Sequence, residues 1–391
     1  MRFSNRLPAS IGPNALARAR EALRSRSTPV IDLTVSNPTE AGIRYPDGIL
    51  ASLADARAQQ YAPAPLGLDS ARNAISRAIN GAGGAVTADR LVLTASTSEA
   101  YAILFKLLCD AGDQVLVPQP SYPLFDLLTR LEGVVPRPYR LDYHGVWSID
   151  RASVERALEP QTRAILVVSP NNPTGSRLRA SDRDWLATLA ADRSLALISD
   201  EVFGDYPLAP RPDASTLVGE SRALTFALGG LSKSAGLPQV KLGWIAASGP
   251  DQQVADALDR LEIICDTYLS VSTPVQVAVP ALLAAGVAVR QAIAARLARN
   301  LAALRTAMAG VPALQLLEPE GGWSAVVRVP ATRSEEALVL RLLTDAHVHV
   351  HPGFFFDFAG EAFVVVSLLA PPDAFDQGVA RLLSIAAEGG S

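Results

Sequence analysis

The stretch Ala164-Ile165-Leu166-Val167-Val168-Ser169-Pro170-Asn171-Asn172-Pro173-Thr174-Gly175 joins five apolar residues to a turn that holds two prolines and closes on a glycine. A run that is apolar at every position predicts a strand covered on both faces. The turn then presents asparagine amides beyond the carboxyl end of that strand. Similar runs fall at 91–94, 114–117, 195–199, 224–228 and 242–246, and helical patterns such as 98–110 lie between them. This alternation predicts an α/β fold around a mostly parallel sheet flanked by helices.

Outward from that core, the N-terminal part reads as a helix over 14–25, a short strand over 31–35 ending at Asn37-Pro38, and helices over 48–58 and 68–80. Gly81-Ala82-Gly83-Gly84 follows a helix rather than a strand, so it is a linker and not a dinucleotide-binding loop. Two long helices, 251–266 and 275–310, lead to a smaller α+β unit. Its strands lie near 314–317, 323–329, 347–351 and 362–369, and its helices near 334–345 and 372–387. The expected division is a large domain over 45–275 and a small domain made of 1–44 with 276–391.

The chain has 391 residues, is 49% hydrophobic and 19% charged, and carries a net charge of −4. These values argue against disorder and against nucleic acid as a partner. Cys109 and Cys265 sit in apolar helical patterns without metal-type spacing, and read as reduced core thiols. No signal core precedes the fold, and no uninterrupted apolar run approaches the roughly 20 residues that a membrane crossing needs. The expectation is a soluble, cytoplasmic protein with no membrane partner.

Only three of the 35 basic residues are lysines, and two of them, Lys233 and Lys241, share the segment from Gly229 to Trp244. Arginine serves for surface charge elsewhere in this chain. A lysine retained in a Gly/Ser-rich turn just past a strand therefore needs a property that arginine lacks. Desolvated lysine loses its proton and attacks a carbonyl. Lys233 is accordingly a candidate Schiff-base residue.

In open α/β sheets ligands bind beyond the carboxyl ends of the strands, and other usable groups fall there too. Ser96, Thr97 and Ser98 begin a helix, where hydroxyls and free N–H groups serve either as an ordinary cap or as an anion site. Asp200 closes an apolar strand, a costly place for a carboxylate unless it meets a cation. Tyr122, in Pro118-Gln119-Pro120-Ser121-Tyr122-Pro123, can hold its ring flat against a ligand. An anion site, an asparagine turn, an acid, an aromatic plate and a lysine on one rim suit a phosphorylated heteroaromatic aldehyde.

With these motifs in this order, nearly the whole chain resembles the fold-type I pyridoxal-phosphate enzymes of the class I/II aminotransferase family. The resemblance implies a large domain on a seven-stranded-type sheet, a smaller α+β domain, and pyridoxal 5′-phosphate as cofactor. It implies Lys233 as the Schiff-base residue and proton carrier, Asp200 as partner of the pyridine nitrogen, and Asn172 as donor to the ring phenolate. Tyr122 would stack on the ring, Ser96, Thr97, Ser98 and Ser232 would hold the phosphate, and no metal is expected. Tyr61, in Tyr61-Ala62-Pro63-Ala64-Pro65-Leu66-Gly67, resembles the tyrosine that reaches the phosphate of a neighbouring subunit, which implies a homodimer with shared active sites.

Several positions depart from the family pattern. Lys241 stands where an arginine usually clamps the phosphate, and supplies charge without the guanidinium fork. Phe203 stands where a tyrosine usually shares the phenolate, and its lack of a hydroxyl is expected to raise the imine pKa. Val365 stands where an arginine usually binds the substrate carboxylate, and Ser36 stands in place of the substrate glycine. Either another cation binds the carboxylate, with Arg328 a candidate or else a surface residue, or the substrate is unusual. His347, His349 and His351 alternate as if on one face of a strand, either as a metal-type triplet or as part of a half-exposed strand. Phe354, Phe355 and Phe356 follow as an apolar wall.

The function implied is a transaminase that moves an amino group from a small-molecule donor to an oxo acid. The alternatives on the same cofactor are a carbon–sulfur lyase, a decarboxylase or a racemase. An acyltransferase would carry histidine at position 203. A non-catalytic ligand-sensing protein of the same fold is the alternative of another class.

Overall fold

The computed structural model describes residues 3–8 and 12–388. Its strands, in chain order, are β1 (Ile31–Asp32), β2 (Leu91–Thr94), β3 (Gln114–Gln119), β4 (Val135–Tyr143), β5 (Trp147–Ile149), β6 (Thr162–Val168), β7 (Ala196–Asp200), β8 (Thr225–Gly230), β9 (Gly243–Ser248), β10 (Gln315–Leu317), β11 (Ser324–Arg328), β12 (Val348–His349), β13 (His351–Pro352) and β14 (Phe363–Ser367). The helices are α1 (Ala15–Ser25), α2 (Asp69–Gly81), α3 (Thr97–Leu108), α4 (Leu124–Leu131), α5 (Arg151–Ala157), α6 (Ala180–Arg193), α7 (Leu231–Ser234), α8 (Asp251–Tyr268), α9 (Thr273–Met308), α10 (Glu335–Thr344) and α11 (Pro372–Ala387).

The fold is α/β, as expected. Its main sheet has the order β2-β9-β8-β7-β6-β3-β4-β5. From β8 through β4 all neighbours are parallel, while β9 runs antiparallel to both β8 and β2. Seven strands thus make the expected mostly parallel sheet, and the short β5 adds an antiparallel eighth at the edge. Strands β6, β7, β8 and β9 are buried almost throughout, which explains their continuous apolar runs.

Strand β4 has no counterpart in the sequence reading, and it contains Pro136 and Pro138, residues that central strands normally exclude. Its register resolves the conflict. The N–H of Val135 donates to Asp113 on the β3 side, so the prolines at alternate positions turn their missing N–H groups the other way. β5 begins pairing only at Leu141–Tyr143, and no ladder bond is lost.

Two other expectations change. The 48–58 segment forms two 3₁₀ turns, Ala51–Ala54 and Ala56–Gln59, instead of one helix. Asp55 interrupts it in an extended conformation and accepts the Arg57 N–H at 2.9 Å. The 347–351 strand is split, because β12 pairs parallel with β1 whereas β13 pairs antiparallel with β14. His347 adopts left-handed backbone (φ 55°), so the three histidines do not share one strand face. The described residues contain no group of three metal-ligating side chains.

A four-stranded sheet, β10-β11-β14-β13, packs with α1, α10 and α11 around a second core. The 36-residue α9 belongs to both cores. Ala278, Val279 and Leu282 pack with β2, β9 and α2, whereas Val289, Ile293, Leu297, Leu301 and Leu304 pack with the small sheet. By length and composition alone α9 could cross a membrane, with a mean hydropathy of 1.8 over its most apolar window. In the fold its buried residues belong to these two cores. Buried Asn300 donates to the carbonyls of Leu368 and Ala370 at 2.8 Å each, fixing α9 to the end of β14.

Where α9 crosses α7, Gly286 lets the two backbones approach. A Cβ there would lie 2.5 Å from the Cβ and 2.9 Å from the Cα of Ala235. Gly286→Ala gains about 1 kcal/mol of helix propensity but overpacks this crossing, and we expect a net loss of about 1–3 kcal/mol. The check is the urea midpoint, and a midpoint at or above wild type would contradict this account of the crossing.

Candidate active site

The carboxyl ends of β6, β7 and β8 are held level by parallel pairing, with Val168 opposite Asp200 and Asp200 opposite Leu228. Beyond them the chain delivers Asn172, Asp200 and Lys233 to one rim, as the sequence suggested.

Lys233 lies in the four-residue α7, directly after β8. The Leu231 N–H donates back to Leu242, and the Tyr206 hydroxyl donates to the Lys233 carbonyl at 2.6 Å. Arg290 on α9 donates to the next carbonyl, that of Ser234, at 3.2 Å. Backbone and side chains therefore fix this short helix from three sides. The Nζ lies 4.5 Å from the centroid of the Trp323 ring and 5.3 Å from that of Phe203. Trp323 in turn meets Phe203 and Tyr206 edge-on at 5.4 and 5.2 Å. Burial against these rings pushes the lysine pKa down to about 8, with the Asp200 charge acting in the opposite direction.

Asp200 is buried, 8% exposed, and burial pushes its pKa up. Two donors and the Lys233 charge oppose that. Tyr101, one helical turn inside α3, donates its hydroxyl to Oδ2 at 2.8 Å, and the Val202 N–H donates to Oδ1 at 3.1 Å. The adjacent Glu201 faces away and accepts from Ser199 at 2.8 Å and from the Leu217 N–H at 2.9 Å.

The two asparagines of the turn separate in the same way. Buried Asn171 braces the turn by accepting from the Thr174 hydroxyl at 3.0 Å. Asn172 is partly exposed, and its Oδ1 accepts from Ser324 at 3.5 Å. The turn is tied to the small sheet by Glu320, whose N–H reaches the Gly175 carbonyl and whose carboxylate meets the Arg177 N–H at 3.0 Å and Arg211 at 3.1 Å.

At the start of α3, Ser96 caps the helix by accepting the Glu99 N–H at 3.1 Å, and Glu99 reaches back to the Ala95 N–H. This is close to a reciprocal capping box. The Ser96 side chain therefore has a structural task, and the N–H groups and hydroxyls of Thr97 and Ser98 remain as the anion-facing set. Gly243 at the start of β9 lies against them; a Cβ there would sit 3.0 Å from the Thr97 nitrogen. Lys241, two residues earlier, is exposed with φ 61°. Ser232 is partly exposed beside Lys233.

Tyr122 is 44% exposed, and the neighbouring Ser121 N–H donates to the Phe356 carbonyl at 2.9 Å. The turn with Phe354, Phe355 and Phe356 thus stands beside Tyr122, with Phe354 exposed and Phe356 buried. Tyr61 is 71% exposed. Val365 is buried and pairs with Val326 and His351. His351 packs on Phe355 and Phe356 at 5.8 and 5.7 Å, and burial pushes its pKa down to about 4. The position expected for a carboxylate-binding arginine is therefore apolar and uncharged. Arg328 does not replace it. It is exposed at the far end of β11, about 13 Å along the strand from Ser324, where it bonds Gln315 and covers the Phe363 ring. Ser36 is exposed.

Tyr101, Tyr206, Trp323 and Ser324 were not picked out from the sequence. Only Tyr101 carried a usable signal, being four residues after Thr97 and so on the same helix face. For the other three, contact arises from tertiary packing.

These groups fit a phosphorylated pyridine aldehyde. Among the described residues the Lys233 Nζ makes no ion pair or hydrogen bond and meets only rings, and Asp200 keeps acceptor capacity beyond its two donors. In cofactor-free protein Lys233 should be the most nucleophilic of the three lysines. With its pKa down from 10.5 to about 8, reductive methylation followed by peptide mass analysis should give a midpoint near pH 8 for Lys233. A midpoint at pH 10 or above would refute the desolvation account. The same shift makes stability rise with pH between about 8 and 10.5, because the unfolded chain binds the extra proton there.

Comparison with known proteins agrees with this fold. The family model described as aminotransferase class I and II matches residues 28–382. An alanine aminotransferase of Mycobacterium tuberculosis is 28% identical over 336 residues, 83% of this chain and 78% of that protein. A glutamate-pyruvate aminotransferase of Haemophilus influenzae is 26% identical, covering 84% of each chain. Among solved structures, an alanine aminotransferase of Pyrococcus furiosus superposes with a TM-score of 0.87 at 23% identity, over 99% of this chain and all of that one. A Thermus thermophilus aspartate aminotransferase variant gives 0.85 at 24% identity, over 98% and 100%. The match over 28–382 takes in every element from β1 to β14 and most of α11, and on that ground the chain belongs to the class I and II aminotransferase family.

Proposed function

We propose that this transaminase acts on an amino donor and an oxo acid whose recognition does not depend on an arginine in the last strand of the small sheet. The observation that carries the reading is the desolvated Lys233 amine facing a rim that also bears Asp200 and Asn172. Pyridoxal 5′-phosphate is the cofactor, as throughout this family, and when bound it supplies the electron sink for the bond broken at the substrate Cα. Lys233 is the residue that would hold it, and its amine would carry the proton on and off the substrate Cα. Its pKa near 8 leaves a usable fraction uncharged at neutral pH. The Asp200 carboxylate holds a proton at the pyridine nitrogen. The Asn172 amide donates to the phenolate oxygen, where Phe203 supplies no second donor.

Tyr122 would cover one ring face. The Thr97 and Ser98 N–H groups and hydroxyls, with Ser96 as their cap, Ser232 and the Lys241 ammonium, hold the phosphate. Tyr61 completes that site in a second copy, and its exposure fits an assembled homodimer. Ile263, Tyr268 and Leu269 are exposed as well, and the Ala64 N–H ties the Tyr61 segment to Ser270 at 2.9 Å. The two bodies, 45–275 and 1–44 with 276–391, form the two walls of the cleft, and the cytoplasm is the place of action.

At Val365 the substrate subsite is apolar, with His351 uncharged, which favours donors other than the common α-amino acids. The names of the relatives support the competing expectation of alanine or glutamate as donor. A half-reaction panel decides, with the loss of the yellow absorbance of holoenzyme followed against α-amino acids and simple amines. We expect alanine, aspartate and glutamate to react at least 10-fold more slowly than the best amine. Fast turnover of any of the three would reverse the substrate assignment while leaving the transaminase chemistry intact. Appearance of the pyridoxamine form separates transamination from elimination, which releases ammonia instead.

A further inference from the structure

We propose that Tyr101 is the positioning residue of Asp200: its single O–H fixes the rotation of the carboxylate and favours its ionised form, so that the unused acceptor capacity is presented to the ring nitrogen of the cofactor. The proposal rests on the cofactor reading above and adds to it a residue on the far side of the acid from the cofactor.

Four observations support it. The Tyr101 hydroxyl lies 2.8 Å from Asp200 Oδ2, and both residues are buried. A phenol has one proton to give, and this one goes to the acid. The Tyr101 ring cannot swing away, because Phe125 packs edge-on at 5.3 Å and Phe105 lies at 6.0 Å. The other donor to Asp200 is the Val202 N–H, a backbone group on Oδ1, so the two oxygens are held from different directions.

The charge balance explains why the bond matters. Around Asp200 the titratable groups are Tyr101 from α3, Lys233 from α7 and the neighbouring Glu201. Burial disfavours the ionised acid, and Lys233 does not reach it as an ion pair within 4 Å. A charge-assisted hydrogen bond is therefore required to keep a buried carboxylate available. The Asp200 charge in turn holds the phenol proton in place, since burial and that charge raise the tyrosine pKa well above its ordinary value.

Tyr101→Phe removes one oxygen and retains every ring contact. The test is a double-mutant cycle on the Kd of pyridoxal 5′-phosphate for apoprotein, with Tyr101→Phe made in the wild-type and Asp200→Ala backgrounds. We expect Tyr101→Phe to weaken binding about 10-fold or more in the first background and less than twofold in the second, with an apoprotein melting point within a few degrees of wild type. Equal Kd values in the wild-type background, or equal losses in both, would overturn the proposal. So would collapse of the Tyr101→Phe fold, which would mean that the bond supports folding rather than aiming the acid. If borohydride reduction of wild-type holoenzyme labels a residue other than Lys233, the cofactor reading itself fails. If Lys233 is labelled and the cycle shows no coupling, only the Tyr101 assignment fails.

Discussion

A lysine amine and a carboxylate, both withdrawn from water at the ends of adjacent parallel strands, set the terms for the rest of this molecule. Neither group is comfortable alone. The amine is pressed against Trp323 and Phe203 and loses proton affinity, while the acid is pressed into the sheet and gains it. The protein does not quench them by direct pairing. It keeps them apart, holds the acid with a phenol and a backbone amide, and braces the helix of the amine through its carbonyls. An ion pair in contact would bury both charges more cheaply and leave neither free to act.

The surrounding architecture supplies the rigidity that this separation needs. Parallel register sets the height of Asp200 relative to Asn172 and Lys233. The Gly175 carbonyl and the Glu320 carboxylate lock the asparagine turn to the entrance of the small sheet. Gly243 keeps β9 close to the first turn of α3, so that the anion-facing N–H groups and the lysine turn belong to one continuous scaffold. The register, the Gly175 carbonyl and Gly243 act through close approach of backbone to backbone, and the buried Glu320 carboxylate adds a side-chain lock.

Much of this could be read from the residues alone, for identifiable reasons. Strands β6 to β9 were legible because burial on both faces leaves continuous apolar runs, and Asn172, Asp200 and Lys233 were legible because each follows such a run directly. Where the reading stopped, geometry had overridden local preference. β4 contains Pro136 and Pro138, and the side of the strand they face cannot be known without the register. Asp55 divided a helical pattern by capping within it, and the break after His349 reflects a change of sheet rather than a change of sequence. The aromatic enclosure of Lys233 is assembled from Phe203, Tyr206 and Trp323, and Trp323 is 90 residues beyond the lysine. No periodicity reports such a meeting.

The course of α9 has a mechanical consequence. Pro280 lies inside it and cannot donate to the carbonyl one turn back, so the rod is softest near its N-terminal end. Beyond that point the rod carries the Gly286 crossing under the lysine turn, Arg290 on the Ser234 carbonyl and the apolar face against the small sheet. Flexure there would swing the small sheet and the brace of the lysine turn as a single lever.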